Sequence, residues 1–167
     1  ADTLFARALA LVDTLHPAVH DAAYVASGYA TFGDTVRAVR FLERYAKLVA
    51  DEPRLLVPRV HRDLSTVRIL AMDYMEGEPL DSLAQPDVAQ ATRDAIGTLL
   101  ERLTFRELFE FRTMQTDPNF ANYLWQPKTG KVVLLDFGAT VNFPERFVDA
   151  YAHITRAVAA GDREAVA

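Results

Sequence analysis

Apolar residues recur at three- and four-residue steps over much of this chain, a spacing that predicts helices. One such stretch covers residues 4–15 and ends at Pro17. Another covers residues 36–48, where Asp34 has the chemistry of an N-cap. Residues 1–50 are therefore expected to form a helical N-terminal segment.

The longest helical pattern covers residues 87–112. Its apolar stripe comprises Val88, Ala91, Ala95, Leu99, Leu103 and Phe109, joined by Ile96, Leu100 and Leu108. Asp87 and Gln90, three positions apart, have the pattern of a capping box at the start of this helix. We expect the aromatic side chains of Phe105, Phe109 and Phe111 to pack in the core rather than to form a ligand or membrane surface.

Another helix is predicted after Pro144, because proline suits a first helical turn. It should end at Gly161. Its apolar positions are Phe147, Ala150, Tyr151, Ile154 and Val158.

Shorter runs of β-branched and aromatic residues predict a small β component. Residues 57–61 and 67–75 are candidate strands joined by a short connection. Residues 123–125 and 132–135 are two more, and residues 127–130 between them have the composition of a tight turn.

Composition narrows the function classes. Half of the 167 residues are apolar and a quarter are charged, as in a globular domain with a substantial core. The net charge of −5 argues against nucleic acid as a partner, since phosphate binding usually needs a basic surface. The chain has no cysteine, which excludes a disulfide framework and a thiolate zinc site. No apolar run approaches the roughly 20 residues that cross a bilayer, so no transmembrane segment is expected.

Three polar residues stand at spacings that suit phosphoryl transfer. Asn122 follows Asp117 by five positions, and Asp136 opens an Asp-Phe-Gly triplet nineteen positions after Asp117. In kinases an Asp and an Asn at the first spacing orient the nucleophile and bind Mg²⁺, and the Asp of Asp-Phe-Gly also binds the metal. Asp117 is therefore the candidate catalytic residue, and Asn122 and Asp136 are candidate Mg²⁺ ligands.

Each of these pieces also has an ordinary explanation, because Asp-Pro is usually a turn and Asp-Phe-Gly is usually the exit of a strand. The predicted hairpin of residues 123–135 favours the functional interpretation. It would bring Asn122, at the entry of one strand, next to Asp136 at the exit of the other. Both supply oxygen ligands, which the hard Mg²⁺ ion prefers.

The segments Gln115–Asn122 and Leu134–Thr140 resemble the signature of the UbiB/ADCK family of atypical kinase-like proteins, especially its coenzyme Q branch. The resemblance covers roughly residues 41–167. It implies an α+β, mainly helical, protein-kinase-like fold, chiefly its C-terminal lobe with a small β component. The segments would be a helical 1–50, a strand pair and hinge in 51–80, and a C-lobe with catalytic loop in 81–167.

The same resemblance implies a function. The protein is expected to be an ATP- and Mg²⁺-dependent atypical kinase or ATPase that supports ubiquinone biosynthesis. Its expected partners are a nucleotide, a lipid or quinone-pathway precursor and a protein complex of quinone biosynthesis. The expected location is the matrix side of the mitochondrial inner membrane or the bacterial cytoplasm, peripheral to the membrane. The residues Asp73, Tyr74, Met75 and Glu76 correspond to the hinge that binds the adenine edge, although a strand leaving its sheet at Gly77 is the plainer interpretation.

The chain departs from the family pattern in its first half. Ala38 stands where the family carries a glutamate that pairs with an ATP-binding lysine, and Glu43 is the nearest carboxylate. The Lys-x-Gly-Gln motif is absent, so the upstream half of the fold is not expected in this sequence. The triplet His61-Arg62-Asp63 imitates a kinase catalytic loop, but Arg68 rather than Asn follows at the required spacing. We therefore interpret Asp63 as a turn residue.

Two other functions stay open on the sequence. A pseudokinase-like binding module would fit Ala38 and the missing nucleotide-binding half. A small-molecule phosphotransferase of the aminoglycoside or choline type shares the Asp-to-Asn spacing. That class usually carries His-Gly-Asp and lacks glycine after the metal-binding Asp, so Thr116 and Gly138 weigh against it.

Overall fold

The computed structural model describes residues 35–66, 69–116, 118–136 and 139–165. They divide into two compact units. The first contains the described residues up to Ser82 together with those of 120–136, and the second contains those of 83–119 and 139–165. Several predicted features lie outside the described residues: the helix of residues 4–15, the cap at Asp34, the candidate catalytic residue Asp117 and the glycine of the Asp-Phe-Gly triplet.

Three α-helices and six short strands make up the regular structure of the described ranges. The helices are α1 (Thr35–Leu48), α2 (Gln90–Phe109) and α3 (Glu145–Ala160). The strands are β1 (Leu55–Leu56), β2 (Glu78–Pro79), β3 (Thr113–Gln115), β4 (Tyr123–Gln126), β5 (Lys131–Leu134) and β6 (Thr140–Asn142). Single 3-10 segments occupy Leu80–Ala84 and Phe120–Asn122.

Helix α1 confirms the prediction for residues 36–48. Its buried side chains are Ala38, Val39, Leu42 and Tyr45, followed by Val49 just beyond the helix. Leu42 and Tyr45 are almost completely buried. Removing a large apolar side chain from water contributes about 1.5–3 kcal/mol, so this face anchors the helix in the first unit.

The sheet of the first unit has the strand order β1–β5–β4–β2. β4 and β5 form the predicted antiparallel hairpin, with Tyr123 opposite Leu134. The turn closes through the carbonyl of Gln126, which accepts from the amides of Thr129 (3.1 Å) and Gly130 (2.8 Å). Gly130 has a φ of 65°, a conformation that glycine adopts without strain.

The outer strands of this sheet come from distant parts of the sequence. β1 runs parallel to β5, with Leu55 opposite Val132. β2 runs antiparallel to β4, with Glu78 opposite Trp125. The central β5 residues Val132, Val133 and Leu134 are buried, which makes this strand the core of the sheet.

The continuous strands predicted for residues 57–61 and 67–75 are wrong. Within the described part of this region, Val60 and Met72 form only an isolated antiparallel bridge. The amide of His61 donates to Ala71 (2.9 Å), and that of Asp73 donates to Arg59 (2.9 Å). Pro58 has no amide proton and a fixed φ, so the first run cannot extend into a regular ladder. Asp63 lies in a turn, as predicted.

In the second unit, α2 confirms the predicted helix but not its cap. The N-cap residue is Ala89, and no side chain caps the helix, so the predicted capping box of Asp87 and Gln90 is wrong. Gln90 is the first helical residue, and its side-chain amide donates to Asp94 instead (2.7 Å). The loop before the helix is held by the side chain of Arg93, which donates to the carbonyls of Gln85 and Val88, each over 2.8 Å.

The buried face of α2 is narrower than the predicted stripe. It consists of Ile96, Leu99, Leu103 and the polar Glu107. Ala91 and Ala95 are exposed, because the larger branched side chains determine which face is buried. The small sheet of β3 and β6 completes this unit, with Gln115 opposite Thr140.

Helix α3 also confirms its prediction, with Pro144 as N-cap and Gly161 as C-cap. Its buried residues are Val148 and Ala157. The predicted apolar positions are exposed instead, up to 64% for Val158. Among the described residues, no helix is both long and apolar enough to cross a membrane.

A row of aromatic rings covers the exposed side of α2 and α3. Phe143 and Phe147 stack at 5.1 Å between centroids, Phe147 and Tyr151 at 6.1 Å, Tyr151 and Phe109 at 6.4 Å, and Phe109 and Phe105 at 6.2 Å. Phe105 is 51% exposed, so the prediction that it packs in the core is wrong. Contacts between the rings stabilise these aromatic side chains at the surface, although the rings are not completely buried.

Candidate functional site

The β4–β5 hairpin places the two candidate metal ligands at one end. The 3-10 turn ending at Asn122 leads directly into β4, and Leu135 follows β5. The amide of Leu135 donates to the carbonyl of Asn122 over 2.9 Å, which extends the ladder by one pair beyond Tyr123 and Leu134. Asp136 is the next residue, so Asn122 and Asp136 lie at the open end of the hairpin.

The donor set at this end fits magnesium. Asn122 and Asp136 are both half-buried, and they supply an amide oxygen and a carboxylate. Magnesium in phosphoryl-transfer sites is usually held by one or two carboxylates, with substrate phosphates and water as the remaining ligands. Among the described residues, no three His, Cys, Asp or Glu side chains group closely enough to hold a metal ion.

The catalytic position itself, Asp117, stays a prediction. Its described neighbour Thr116 makes two contacts to the carbonyl of Ala139: the amide donates over 3.1 Å and the hydroxyl over 2.5 Å. Ala139 is the residue after the Asp-Phe-Gly triplet. The pairing of β3 with β6 continues this contact, so the chain just before Asp117 is bonded to the chain just after the triplet.

The predicted hinge is anchored at both of its ends. The amide of Asp73 donates to the carbonyl of Arg59, and the carbonyl of Glu76 accepts from the side-chain amide of Gln126 over 2.8 Å. Between them, the backbones of Tyr74 and Met75 form no hydrogen bond to another residue of the described ranges. Asp73, Tyr74 and Glu76 are exposed, and Met75 is half-buried.

The residue after the predicted hinge packs against β4, a strand of the hairpin that bears the candidate metal ligands. A Cβ atom added to Gly77 would lie 2.8 Å from Leu124 Cβ and 3.1 Å from the carbonyl oxygen of Trp125. Only glycine permits this close crossing. Trp125, next to Leu124, is buried and donates from its indole nitrogen to the hydroxyl of Ser82 over 2.7 Å. The hinge is thus fastened to the strand that begins at Asn122.

Sequence reasoning missed two pairs beside the hinge. The imidazole Nε2 of His61 lies 2.7 Å from the carboxylate of Asp73. The Arg62 guanidinium forms a two-armed ion pair with Glu43 on α1. The hydrogen bond from Arg62 holds the pKa of Glu43 below its ordinary value, and the same bond raises the pKa of Arg62. The triplet His61-Arg62-Asp63 draws attention to this position in the sequence. It resembles a kinase catalytic loop, however, and does not by itself indicate the pairs with Asp73 and Glu43.

Comparisons with known proteins show which family the chain resembles. The sequence profile of the ABC1 atypical kinase-like domain matches residues 37–167. The chain is 44% identical over 133 residues to the mitochondrial atypical kinase COQ8B of Rattus norvegicus, covering 80% of this chain and 25% of that protein. It is 37% identical over 131 residues to the mitochondrial atypical kinase COQ8 of Schizosaccharomyces pombe, covering 78% and 21%. The chain therefore spans about a quarter of the length of these relatives.

A solved structure shares the fold. It is the complex of Rv3197 with erythromycin from Mycobacterium tuberculosis, which superposes with a TM-score of 0.66 and 24% sequence identity. The superposition covers 96% of this chain and 41% of that chain. The predicted α+β kinase-like fold is confirmed.

Proposed function

The chain belongs to the family of ABC1 atypical kinase-like domains, and from this membership we propose that it carries the metal and nucleotide site of an ATP- and Mg²⁺-dependent atypical kinase or ATPase. The observation that carries the proposal is the bond from Leu135 to Asn122. It supports the proposal because it holds the backbone of Asn122 beside Leu135, the residue before Asp136, so that an amide and a carboxylate residue lie at the same end of one hairpin. Strand β4 of the same hairpin contacts Gly77, the residue after the proposed hinge.

Asn122 and Asp136 would hold the Mg²⁺ ion. When bound, the metal neutralises charge that develops on the phosphate oxygens. Phosphoryl transfer depends mainly on positioning and on electrostatic stabilisation, and a short antiparallel hairpin is a rigid support for both ligands. Asp117 would orient the attacking hydroxyl or water, the role its spacing from Asn122 predicts.

The segment of Asp73, Tyr74, Met75 and Glu76 would bind the adenine edge. Two anchors support this assignment, one from Arg59 at its start and one from Gln126 at its end. They hold the two ends of the segment, while the backbone groups of Tyr74 and Met75 form no hydrogen bond to a described residue. An amide and a carbonyl held in this way can pair with the nucleobase without first breaking an internal bond.

The relatives also support a proposal about the cellular setting. Rat COQ8B and fission yeast COQ8 are both described as mitochondrial atypical kinases. Together with the coenzyme Q signature, these names support a role in ubiquinone biosynthesis. We place the protein in mitochondria or in the bacterial cytoplasm, with a quinone-pathway precursor as the candidate substrate.

One observation favours a second function, nucleotide binding without turnover. Ala38, at the position where the family carries its glutamate, is 4% exposed and packs in the core of the first unit. It supplies no carboxylate to a lysine, and Glu43 is engaged by Arg62. A binding module would use the same hinge and metal ligands but release no ADP.

The test compares wild type, Asp136→Asn and Asp149→Asn in the full-length protein. Asp149 is an exposed aspartate of α3 and serves as the matched control. At 100 times its Kd, a ligand that binds only the folded state adds about 2.7 kcal/mol to the free energy of unfolding. We expect Mg²⁺-dependent thermal stabilisation by ADP in wild type and Asp149→Asn, and its loss in Asp136→Asn.

Two results would contradict the proposal. Either wild type shows no Mg²⁺-dependent stabilisation, or Asp136→Asn keeps it in full. Release of ADP from ATP, measured on the same three proteins, separates an ATPase from a binding module. Turnover that Asp136→Asn abolishes supports the enzyme, whereas stabilisation without turnover supports the module.

A further inference from the structure

Two neighbouring residues reach in different directions from one short loop. His61 contacts Asp73, the first residue of the hinge, over 2.7 Å. Arg62 contacts Glu43 on α1 through Nε (2.6 Å) and a terminal nitrogen (2.5 Å). Helix α1 and the hinge are therefore joined through a single peptide unit.

His61 is hydrogen-bonded through both of its backbone groups. The amide of His61 donates to Ala71 over 2.9 Å, and its carbonyl accepts from the Ser65 hydroxyl (2.8 Å) and the Leu64 amide (3.2 Å). Ser65 Oγ in turn accepts from the Ala71 amide over 3.1 Å. With both sides of His61 bonded, a displacement of Arg62 is transmitted to Asp73 rather than absorbed by the loop.

The Arg62–Glu43 contact has the geometry of a positioning device. A two-armed arginine–carboxylate pair fixes orientation as well as distance. Both side chains are substantially exposed, and exposed ion pairs contribute little to folding stability. We therefore expect the pair to affect the position of α1 more than the folding stability of the first unit.

We propose that His61 and Arg62 are positioning residues that couple helix α1 to the nucleotide-binding hinge. The affinity for Mg²⁺–nucleotide then depends on the Arg62–Glu43 ion pair. This inference rests on the proposed function, because it needs a nucleotide at the hinge. Glu43 and Arg62 lie outside the assigned metal and hinge residues, so their effect on binding passes through His61 and Asp73.

The test is a double-mutant cycle on Glu43→Gln and His61→Ala in the full-length protein. The dissociation constant of Mg²⁺–ADP is measured by calorimetry, and unfolding is measured separately in denaturant. We expect Glu43→Gln alone to raise the Kd about fivefold, at the low end of typical coupling between sites. In the His61→Ala background, the same change should alter the Kd by less than about twofold, since the contact between His61 and Asp73 is already lost.

Two further variants provide a control and a rescue. Arg40→Ala removes an exposed arginine of the same helix and should leave the Kd unchanged. The charge swap Glu43→Arg with Arg62→Glu retains an ion pair and should restore most of the affinity. The swap also keeps the link testable if a single variant unfolds.

The outcomes are distinguishable. A Glu43→Gln variant that shifts only the denaturant midpoint, with an unchanged Kd, overturns the coupling and leaves a purely structural pair. An equal effect of Glu43→Gln with and without His61 also overturns it. If wild type fails to bind Mg²⁺–ADP, the proposed function and this inference fail together. If binding depends on Asp136 but not on Glu43, only this inference fails.

Discussion

Gly77 approaches Leu124 so closely that a Cβ atom on the glycine would lie 2.8 Å from Leu124 Cβ. This crossing joins the end of the proposed hinge to β4, the first strand of the β4–β5 hairpin. The contact is set by backbone and by a Cβ atom, which cannot rotate away as the end of a flexible side chain would. The fit of the hinge on β4 is therefore intolerant of any added volume.

Gly77→Ala should destabilise the protein by about 1–3 kcal/mol, the usual cost of overpacking. Gly97→Ala on α2 is the matched control, because nothing lies within 4 Å of its Cβ position. Alanine in a helix should stabilise by about 0.5–1 kcal/mol relative to glycine. Denaturant unfolding followed by the fluorescence of Trp125, the sole tryptophan, measures both. Equal effects of the two substitutions would contradict the close crossing.

Asn122→Ala should lower the affinity for Mg²⁺–ADP at least tenfold, because one oxygen ligand of the metal is lost. The hairpin itself should persist, since its last bond comes from the backbone carbonyl of Asn122 and not from the side chain. We expect a loss of stability of about 1 kcal/mol or less. Lys128→Ala, at the turn end of the same hairpin, is the control. Unchanged metal-dependent affinity in Asn122→Ala would remove Asn122 from the site.

Acid should abolish the contribution of Glu43 to stability. The hydrogen bond from Arg62 depresses the pKa of Glu43 in the folded state, so the ionised carboxylate stabilises the protein above its ordinary pKa of 4.5. That contribution is lost as the pH falls through the lower folded pKa. The stability difference between wild type and Glu43→Gln should stay constant near pH 6 and shrink below about pH 4.5. A difference that grows in acid would contradict the ion pair, and Glu101→Gln, an exposed carboxylate of α2, is the control.

Two valines of α3 distinguish its buried face from its exposed face. Val148→Ala should destabilise by about 2 kcal/mol, through lost burial and the cavity left behind. Val158→Ala should change stability by less than about 0.5 kcal/mol, because this side chain is already in water. Chemical denaturation compares the same substitution on the same helix. A larger loss at Val158 would mean that the face predicted from periodicity is the buried one after all.

Local patterns predicted the elements well where one residue type decides the conformation. Gly130 and Gly161 each adopt a positive φ at a turn or helix end, and the pattern placed both. The β4–β5 hairpin and the ends of α3 followed from such signals. The prediction that Asn122 and Asp136 lie at one end of a hairpin came from the same reasoning.

Long-range packing was not predictable in this way. Periodicity identified the apolar positions of α3 but not that Val148 and Ala157 would be the buried ones, since burial depends on which neighbours the helix meets. The loop before α2 is held by Arg93, whose long side chain reaches back to two carbonyls that no local motif marks. The pairing of Arg62 with Glu43 joins residues far apart in the sequence, and no spacing rule predicts it.

The parallel pairing of β1 with β5 has a consequence for synthesis. Leu55 leaves the ribosome long before its partner Val132, and the intervening residues 83–119 belong to the other unit. At about 5–20 residues per second, β1 remains without its partner strand for seconds. Because this contact closes a long loop, it should form late and slowly compared with the local helices. We therefore expect Leu55 and Leu56 to become buried only after the hairpin emerges.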